Sequence, residues 1–490
     1  MNGIEVDDSG QRPMRAGEVV DGFELIERLH QGGMASLWRV RHADHSGASL
    51  IMKVPRIKGG EDPATIVGFE VEQMIMPVLR GVHVPRFVAS GDFITRPYIV
   101  MEHIPGDSLR ARLDLAPLPI DEVARIGARV ATALHDLHRQ HVIHLDIKPS
   151  NILLRPSGEA VLIDFGLSRH DQLPDLLDEE FNLPMGTGPY MSPEQVQFVR
   201  SEPRSDLFAL GVMLYHLTTG ERPFGAPTSV RGLRERLYKE PVPPLALRAD
   251  CPPWLQEIIL RCLEVQADLR HPSAAHLAQD LALGLANPDH VTLTERAHKR
   301  ATGGAVARFK RWVTAVGAEP GDRSSVADQL KRAPIVMAAV DVSGATDAML
   351  DLQRETVRRI VLTEPGARLA CVSVLKTNRI GMDELTDKQG NSLHVKHLVG
   401  LKHWARSLSQ DLGLADSRLT VHVLEAPDAA DAILEFARRT QVDHVVMGAR
   451  GNSALRRYLG SVSSEVVAKA ECTVTVVRVP GEQVSDGATT

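Results

Sequence analysis

The sequence predicts two folded units of different class, an α+β unit followed by an α/β unit with a doubly wound parallel sheet. Residues 23 to 110 alternate short β-like runs with one helical stretch, Ile66 to Gly81. Residues 121–285 are mostly helical by period. After Pro334, β-branched apolar runs alternate with helical stretches, which is typical of a parallel sheet. We therefore divide the chain into an N-terminal tail (1–22), a first domain (23–285), a linker (286–333), a second domain (334–480) and a C-terminal tail (481–490).

Length and composition restrict the class of protein. A chain of 490 residues is expected to hold two or three domains, at roughly 150 residues each. The net charge of -6 argues against a generally basic protein that coats nucleic acid, so we expect no nucleic-acid partner. The four cysteines lie far apart without a C-x-x-C pair, which favours a reducing compartment and a cytoplasmic location. The N-terminus lacks the apolar core of a signal peptide, and the apolar runs are shorter than the about 20 residues of a transmembrane segment, so none is expected.

The linker contains Gly, Pro, Ser and many basic residues, and we expect one or two helices in it. Val306, Phe309, Val313 and Val316 would share one helical face. This pattern favours a connector helix docked on a neighbouring domain. A role at a membrane surface or on nucleic acid is the alternative.

Polar residues of the first domain form an ordered set. They are Lys53 in a β-like run, Glu72 on the helical stretch, Asp146, Lys148 and Asn151 in the loop HVIHLDIKPSN, and Asp164 at the head of DFG. No single member is decisive, but VIHLDIKPSNILL running into VLIDFG is a very specific combination. The set resembles the Hanks-type (eukaryotic-like) serine/threonine protein kinases.

The resemblance implies a bilobal protein kinase fold and an ATP-dependent, non-specific serine/threonine protein kinase. Because a transferring phosphoryl group needs little covalent help from the protein, catalysis in this family is positioning plus charge stabilisation. The resemblance implies that Lys53, paired with Glu72, contacts the α- and β-phosphates and that Lys148 contacts the γ-phosphate. It implies that Asp146 contacts the substrate hydroxyl and that Asn151 and Asp164 bind Mg²⁺ (or Mn²⁺). The remainder of ATP would be surrounded by Gly32, Gly33, Met101, Glu102 and Ile104. Lys148 marks the serine/threonine branch of the family.

Further positions match the family in a supporting role. Thr187, in the segment GTGPYMSPE, is expected to help position the protein substrate. Glu194 is expected to pair with Arg270, and Asp206 is expected to brace the loop that contains Asp146. The resemblance implies structural roles for these last three residues.

The glycine-rich loop HQGGMAS departs from the family pattern. His30 and Ala35 stand where the first and third glycines are expected, while Gly32 is retained and Gly33 is additional. Gly32 and Gly33 still permit close approach of the backbone to phosphates. The departure leaves an alternative open, a catalytically weak nucleotide-sensing scaffold made of a pseudokinase and a stress domain.

Leu145 is the second departure, since many kinases have arginine before the catalytic aspartate. That arginine is a buried charge which a phosphorylated activation loop neutralises. Between Leu167 and Gly186 the only hydroxyl residue is Ser168, and the segment is acidic, with Asp171, Asp175, Asp178, Glu179 and Glu180. The hypothesis is a kinase of the non-RD type that is active without phosphorylation of this loop.

The C-terminal region resembles the universal stress protein family. Its ATP-binding members carry G-x-x-G, nine residues and G-[ST]; here Gly448 and Gly451 precede Gly460 and Ser461, with eight residues between Gly451 and Gly460. Asp341 matches the carboxylate on the adenosine side. The resemblance implies a second ATP or AMP site, a homodimer through residues 472–479, and stress-linked signalling. A domain that keeps the fold and serves dimerisation or sensing is the alternative.

Overall fold

The computed structural model describes residues 14–56, 63–181, 183–288, 333–364, 366–377, 386–387, 392–414, 418–449 and 460–479. The expected linker helix around Val306 to Val316, the tail 481–490 and Gly451 lie outside these residues. Among the described residues, no helix combines the length and the apolar composition that crossing a bilayer requires.

The N-terminal lobe is an antiparallel sheet with one long helix. Its strand order is β1-β2-β3-β4-β6-β5, and its elements are β1 (Val19–Val20), β2 (Phe23–Gln31), β3 (Ala35–Arg41), β4 (Leu50–Pro55), α1 (Pro63–Ile75), β5 (Phe87–Gly91) and β6 (Tyr98–Glu102). The expectation that α1 continues to Gly81 is wrong. The helix ends at Ile75 in a 3-10 turn, Met76–Val78, because Pro77 has no backbone N–H to continue the helical hydrogen bonds.

The second lobe is mainly helical. Its helices are α2 (Arg110–Leu113), α3 (Ile120–His138), α4 (Leu176–Glu180), α5 (Pro193–Val196), α6 (Arg204–Thr219), α7 (Val230–Arg234), α8 (Pro244–Leu247), α9 (Pro253–Cys262) and α10 (Ala274–Ala286). Shorter 3-10 turns of this lobe lie at Pro149–Asn151, Glu235–Leu237 and Ala267–Leu269, and one at Ala43–His45 joins β3 to β4 in the N-terminal lobe. Helix α3 buries Val123, Ile126, Val130, Leu134 and Leu137, the spacing of one apolar face, and packs on α6 and α10.

Two short antiparallel strand pairs position the candidate loops between the lobes. Strands β8 (Ile152–Leu154) and β9 (Ala160–Leu162) form the predicted hairpin, and β7 (Val142–Ile143) pairs with β10 (Arg169–His170). The loop 144–151 therefore begins directly after β7 and ends at β8.

The C-terminal domain is a five-stranded parallel sheet in the order β13-β12-β11-β14-β15. Its elements are β11 (Ile335–Ala339), α11 (Asp347–Thr363), β12 (Arg368–Lys376), α12 (Leu393–Leu412), β13 (Leu419–Ala426), α13 (Ala429–Arg439), β14 (His444–Gly448), α14 (Ser461–Lys469) and β15 (Thr473–Val477). Each predicted apolar run is a strand. Because the strand order reverses at β11, a crevice is expected at the carboxyl ends of β11 and β14.

The two domains contact each other through helix α4. This helix lies against α1 of the N-terminal lobe and against β13 and α13 of the C-terminal domain. One cluster of buried apolar side chains includes residues of both domains, Leu177 of α4 and Val421 and Val423 of β13 among them.

Candidate active site

Lys53 on strand β4 forms the centre of the polar site between the two lobes. Its Nζ atom lies 2.5 Å from Glu72 Oε2 on helix α1 and 2.9 Å from Asp164 Oδ1, so the expected Lys53–Glu72 pair is confirmed. Burial alone lowers the pKa of the Lys53 ammonium, but the Asp164 and Glu72 carboxylates more than offset this and raise it. The Lys53 charge in turn lowers the pKa of Asp164 to about 2, although desolvation opposes it. Asp164 is therefore ionised at neutral pH.

The segment that begins at Asp164 is held by contacts with both lobes. The Phe165 side chain is fully buried, and its ring centroid lies 5.2 Å from that of His144. The Lys53 ammonium bridges Asp164 and Glu72, which links this segment to α1. Burial raises the pKa of Glu72, and the Lys53 ammonium opposes that effect. The orientations of α1 and of the 164–166 segment are thus coupled.

The loop 144–151 brings Asp146, Lys148 and Asn151 together with Thr187. Lys148 Nζ donates to Asp146 Oδ2 at 2.6 Å and to Thr187 Oγ1 at 3.1 Å. The Thr187 hydroxyl donates to Asp146 Oδ1 at 2.6 Å. Asn151 Nδ2 donates to the Asp146 carbonyl oxygen at 3.0 Å and to its carboxylate at 3.1 Å. The Asp146 carboxylate can therefore accept a hydroxyl hydrogen bond beside a fixed ammonium group.

Asp206 at the start of α6 braces this loop, as expected. Its carboxylate accepts the backbone N–H of His144 at 2.9 Å and of Leu145 at 2.8 Å. Leu145 has a positive φ of 61°, a left-handed conformation that costs a non-glycine residue about 1–2 kcal/mol. Gln195, which the sequence analysis missed, donates from Nε2 to the Leu145 carbonyl oxygen at 2.8 Å. Hydrogen bonds thus hold the peptide groups on both sides of the Leu145 Cα atom.

Glu194 and Arg270 form the expected ion pair beneath this region. Arg270 Nη1 and Nη2 donate to the two carboxylate oxygens of Glu194 at 2.5 and 2.8 Å. The Arg270 side chain is fully buried, and its Nη1 also donates to the Arg204 carbonyl oxygen at 2.8 Å. This pair anchors helix α5, which follows the Thr187 segment.

The residues expected around ATP line the opposite side of the cleft. Gly32 and Gly33 form the turn between β2 and β3, where the Gly32 N–H donates to the Ala35 carbonyl oxygen at 3.0 Å. A Cβ atom on Gly33 would meet nothing within 4 Å, so open space lies beside this part of the backbone. The Met101 side chain lies in the apolar core, and Ile104 is also buried. Arg155, also missed from sequence, holds Glu102 with two hydrogen bonds, at 2.6 and 3.0 Å.

Asp164 and Asn151 suit a hard cation. Carboxylate and amide oxygens are ligands of Mg²⁺, which is usually held by one or two protein groups and by phosphates. Within the described residues, no set of three or more His, Cys, Asp or Glu side chains is arranged to hold a metal ion. Asp164 and Asn151 offer two such oxygen donors, which fits a cation that is shared with phosphate groups.

The C-terminal candidate residues are only partly brought together. Asp341 follows β11, and its Oδ1 accepts from the Gly344 N–H at 3.0 Å; Gly448 ends the adjacent strand β14. A Cβ atom on Gly448 would lie 3.1 Å from Met349 Sδ. Gly460 is the N-cap of α14, which begins at Ser461. Gly451 lies outside the described residues.

Comparison with known families agrees with this geometry. Residues 23–281 match the family model of the protein kinase domain, which covers more than half of the chain, so the chain belongs to the protein kinase family. Residues 334–478 match the model of the universal stress protein family, and the parallel sheet of the C-terminal domain has that family's α/β fold.

Curated relatives share the N-terminal part of the chain. It is 31% identical over 272 residues to serine/threonine-protein kinase PknB of Mycolicibacterium smegmatis, covering 53% of this chain and 42% of that protein. It is 27% identical over 264 residues to a probable serine/threonine-protein kinase PknB of Lactococcus lactis, covering 54% and 42%. Serine/threonine-protein kinase PksC of Streptomyces coelicolor is 29% identical over 270 residues, covering 53% and 48%. The chain spans less than half the length of each of these relatives.

Proposed function

We propose that this protein is a serine/threonine protein kinase that transfers the γ-phosphate of ATP to hydroxyl groups of protein substrates. The observation that carries the proposal is the continuous polar chain from Glu72 through Lys53 to Asp164, placed across the cleft from Asp146 and Lys148. Such an arrangement positions a polyphosphate and offsets its charge, which is most of what phosphoryl transfer requires.

Each group has a separate role in the proposed reaction. Lys53 would contact the α- and β-phosphates while Glu72 holds it in place, and Lys148 would contact the γ-phosphate. Asp146 would orient the substrate hydroxyl and accept its proton, in the position where it now accepts the hydrogen bond from Thr187. Thr187 would help to position the substrate chain. Asp164 and Asn151 would hold Mg²⁺ or Mn²⁺, which would neutralise charge on the phosphate oxygens.

The adenine of ATP is proposed to lie between the lobes near Met101. The backbone of Glu102 and Ile104 would form hydrogen bonds with it. Gly32 and Gly33 would let the backbone approach the phosphates closely. His30 and Ala35 leave fewer glycines in this turn than the family pattern has, which is the one observation that favours the alternative function, a weakly catalytic nucleotide-sensing scaffold.

Phosphate transfer to a generic protein substrate with γ-labelled ATP tests the proposal. Asp164→Ala should remove the signal, whereas Asp171→Ala, a control in the same segment whose side chain is 52% exposed, should retain it. Equal signals from wild type and Asp164→Ala would eliminate the kinase function and favour the alternative, a nucleotide-sensing scaffold.

We also propose that the kinase needs no phosphate on its activation segment, residues 164–194. Leu145 places a buried, uncharged side chain before Asp146, so no charge at this position requires neutralisation by a phosphate. Ser168 is almost fully buried and donates to the His144 carbonyl oxygen at 3.1 Å, while the Thr187 hydroxyl is engaged by Asp146. Ser168→Ala is expected to retain the transfer rate within about fivefold, because the hydrogen bond contributes only about 1 kcal/mol.

For the C-terminal domain we propose a stress-linked sensing role, with ATP or AMP bound at the crevice beside Asp341 and Gly448, and with Gly451, Gly460 and Ser461 contributing to its phosphate side. The neighbouring carboxyl ends of β11 and β14 support this placement. Strand β15 lies at an edge of the sheet and could pair with a second copy, which supports a homodimer through residues 472–479. The four free cysteines support a cytoplasmic location.

A further inference from the structure

Helix α4 of the activation segment is held by the C-terminal domain. Arg368 at the start of β12 donates to both carboxylate oxygens of Glu179, at 2.6 and 2.5 Å. Arg439 at the end of α13 donates to the Glu179 carbonyl oxygen. The side chains of Arg368 and Glu179 are 15% and 11% exposed, so this is a largely buried, bidentate pair.

His422 on β13 binds the same helix with both ring nitrogens. Nδ1 lies 2.9 Å from Glu180 Oε1, and Nε2 lies 3.2 Å from Glu179 Oε2 and 2.8 Å from Thr420 Oγ1. The ring is fully buried. A neutral imidazole has one N–H donor, but an imidazolium has two and can serve both carboxylates. Burial lowers the pKa of His422, but the hydrogen bonds to Glu179 and Glu180 outweigh this and raise it to about 9.

A second contact joins the C-terminal domain to helix α1. Lys402 on α12 forms an ion pair with Glu70, whose side chain is 10% exposed. The Lys402 ammonium also lies 4.9 Å from the centre of the Phe93 ring, which in turn packs edge-on against Phe69 of α1. Glu70 is two residues from Glu72, the partner of Lys53.

The two contacts are complementary in charge. Three carboxyl groups of the kinase domain, on Glu70, Glu179 and Glu180, face three cationic groups of the C-terminal domain, on Lys402, Arg368 and His422. Charges desolvated in this way favour one docked arrangement, because misalignment within the interface leaves a buried charge without its partner. We call the set Arg368, Lys402 and His422 the docking surface.

The docked arrangement coincides with the arrangement that phosphoryl transfer needs. Helix α4 packs on α1, and α1 holds Glu72 against Lys53 at 2.5 Å. Phe165 is buried, and Lys53 links Glu72 to Asp164, the residue before Phe165. Contact of the C-terminal domain with α1 and α4 is therefore compatible with the arrangement in which Glu72 pairs with Lys53. The acidic activation segment is held by Arg200 of the kinase domain, which binds Asp175, and by Arg368 and His422 of the C-terminal domain, which bind Glu179 and Glu180.

We propose that the C-terminal domain is an intramolecular activator, whose docking surface binds α1 and α4 and so holds the Lys53–Glu72 pair and the activation segment in the working arrangement. This inference rests on the proposed kinase function. The partner of the docking surface is the acidic face formed by Glu70, Glu179 and Glu180 of the same chain.

Charge reversal of the Lys402–Glu70 pair in the full-length chain tests the proposal. Lys402→Glu and Glu70→Lys should each lower kcat about tenfold or more, and the double variant should recover most of the wild-type kcat because the pair is re-formed with opposite polarity. Arg359→Glu on α11 is the matched control and should leave kcat unchanged, since Arg359 is 74% exposed and pairs only with Glu355 of its own helix in the described contacts. Single variants as active as wild type, single variants more active than wild type, or a double variant without recovery would overturn the proposal.

Hydrogen exchange on the same proteins gives a readout that does not depend on activity. In each single variant, exchange should rise in α1 and α4 while α3 and α6 keep their protection, and the double variant should reverse the rise. An unchanged pattern at α1 and α4 would overturn the proposed docking even if wild type were inactive. A wild type that transfers no phosphate would instead defeat the proposed function, so the two failures are distinguishable.

Discussion

Replacement of Asp206 tests how the fold holds the loop 144–151. The Asp206 carboxylate is 1% exposed and accepts three hydrogen bonds, from His144 N, from Leu145 N and from His138 Nε2. In Asp206→Ala, the two backbone N–H groups lose their acceptor in a buried region. We expect the loop 144–151 to relax, and Asp146 to leave its position beside Lys148.

The size of the effect follows from these contacts. Each buried N–H left unsatisfied costs about 1–3 kcal/mol, which gives about 2–6 kcal/mol for the pair. Leu145 adds to this, because its φ of 61° is held in part by the lost bond to Leu145 N. If about 2 kcal/mol of this appears in the activation free energy, kcat falls about 30-fold. The thermal midpoint of the kinase domain should fall by about 2–4 °C per kcal/mol lost.

Steady-state kinetics and thermal unfolding of the same preparations measure both effects. Asp206→Asn should fall between wild type and Asp206→Ala, since its single carbonyl oxygen can accept one of the two backbone N–H groups. Asp268→Ala serves as control, because its carboxylate is 89% exposed and outside the loop. The reasoning is refuted if Asp206→Ala keeps kcat within about twofold and its free energy of unfolding within about 1 kcal/mol of wild type.

Two further predictions concern the buried ion pairs. Glu194→Gln should lower the free energy of unfolding by about 3–5 kcal/mol in urea titration, because it leaves the Arg270 charge buried without its partner; a loss below about 1 kcal/mol would contradict this. The raised pKa of His422 should make docking pH-dependent: the imidazolium contribution is fully present below its ordinary value of 6.5 and is lost as the pH rises through about 9. Exchange protection of α4 should therefore fall between pH 7 and 10, where Glu179 and Glu180 lose a cationic partner while Arg368 stays charged. In His422→Gln this pH dependence should be much smaller, and an equal dependence in both proteins would exclude His422 as its source.

Local pattern was sufficient to predict much of the fold and the polar site. The residue types at Lys53, Asp146, Asn151 and Asp164 are dictated by chemistry at fixed spacings, so they can be read without a structure. The β-branched runs after Pro334 likewise predict a parallel sheet, because the strands of such sheets are usually covered by helices on both faces. The apolar pattern of α1 continues to Gly81, but the helix ends at Ile75 because Pro77 interrupts the helical hydrogen bonds.

The contacts between the domains could not be predicted in this way. In the sequence, Glu179 and Glu180 belong to an acidic segment that is poor in hydroxyl residues, and nothing near them in sequence indicates a partner. Arg368 lies 189 positions from Glu179, and its position beside α4 depends on how two separate folds dock. Gln195 and Arg155 were missed for a related reason, since each stabilises a motif residue through a contact that only the tertiary structure creates.

The most direct test of the account is the activity of the full-length protein after removal of all phosphate. The protein is treated with phosphatase, its unmodified intact mass is verified, and the initial rate of γ-phosphate transfer to a protein substrate is compared with that of the untreated protein. We predict equal rates within about twofold, since Arg368 and His422 hold the activation segment without a phosphate. Loss of most activity, with recovery on phosphorylation of Ser168 or Thr187, would contradict the account.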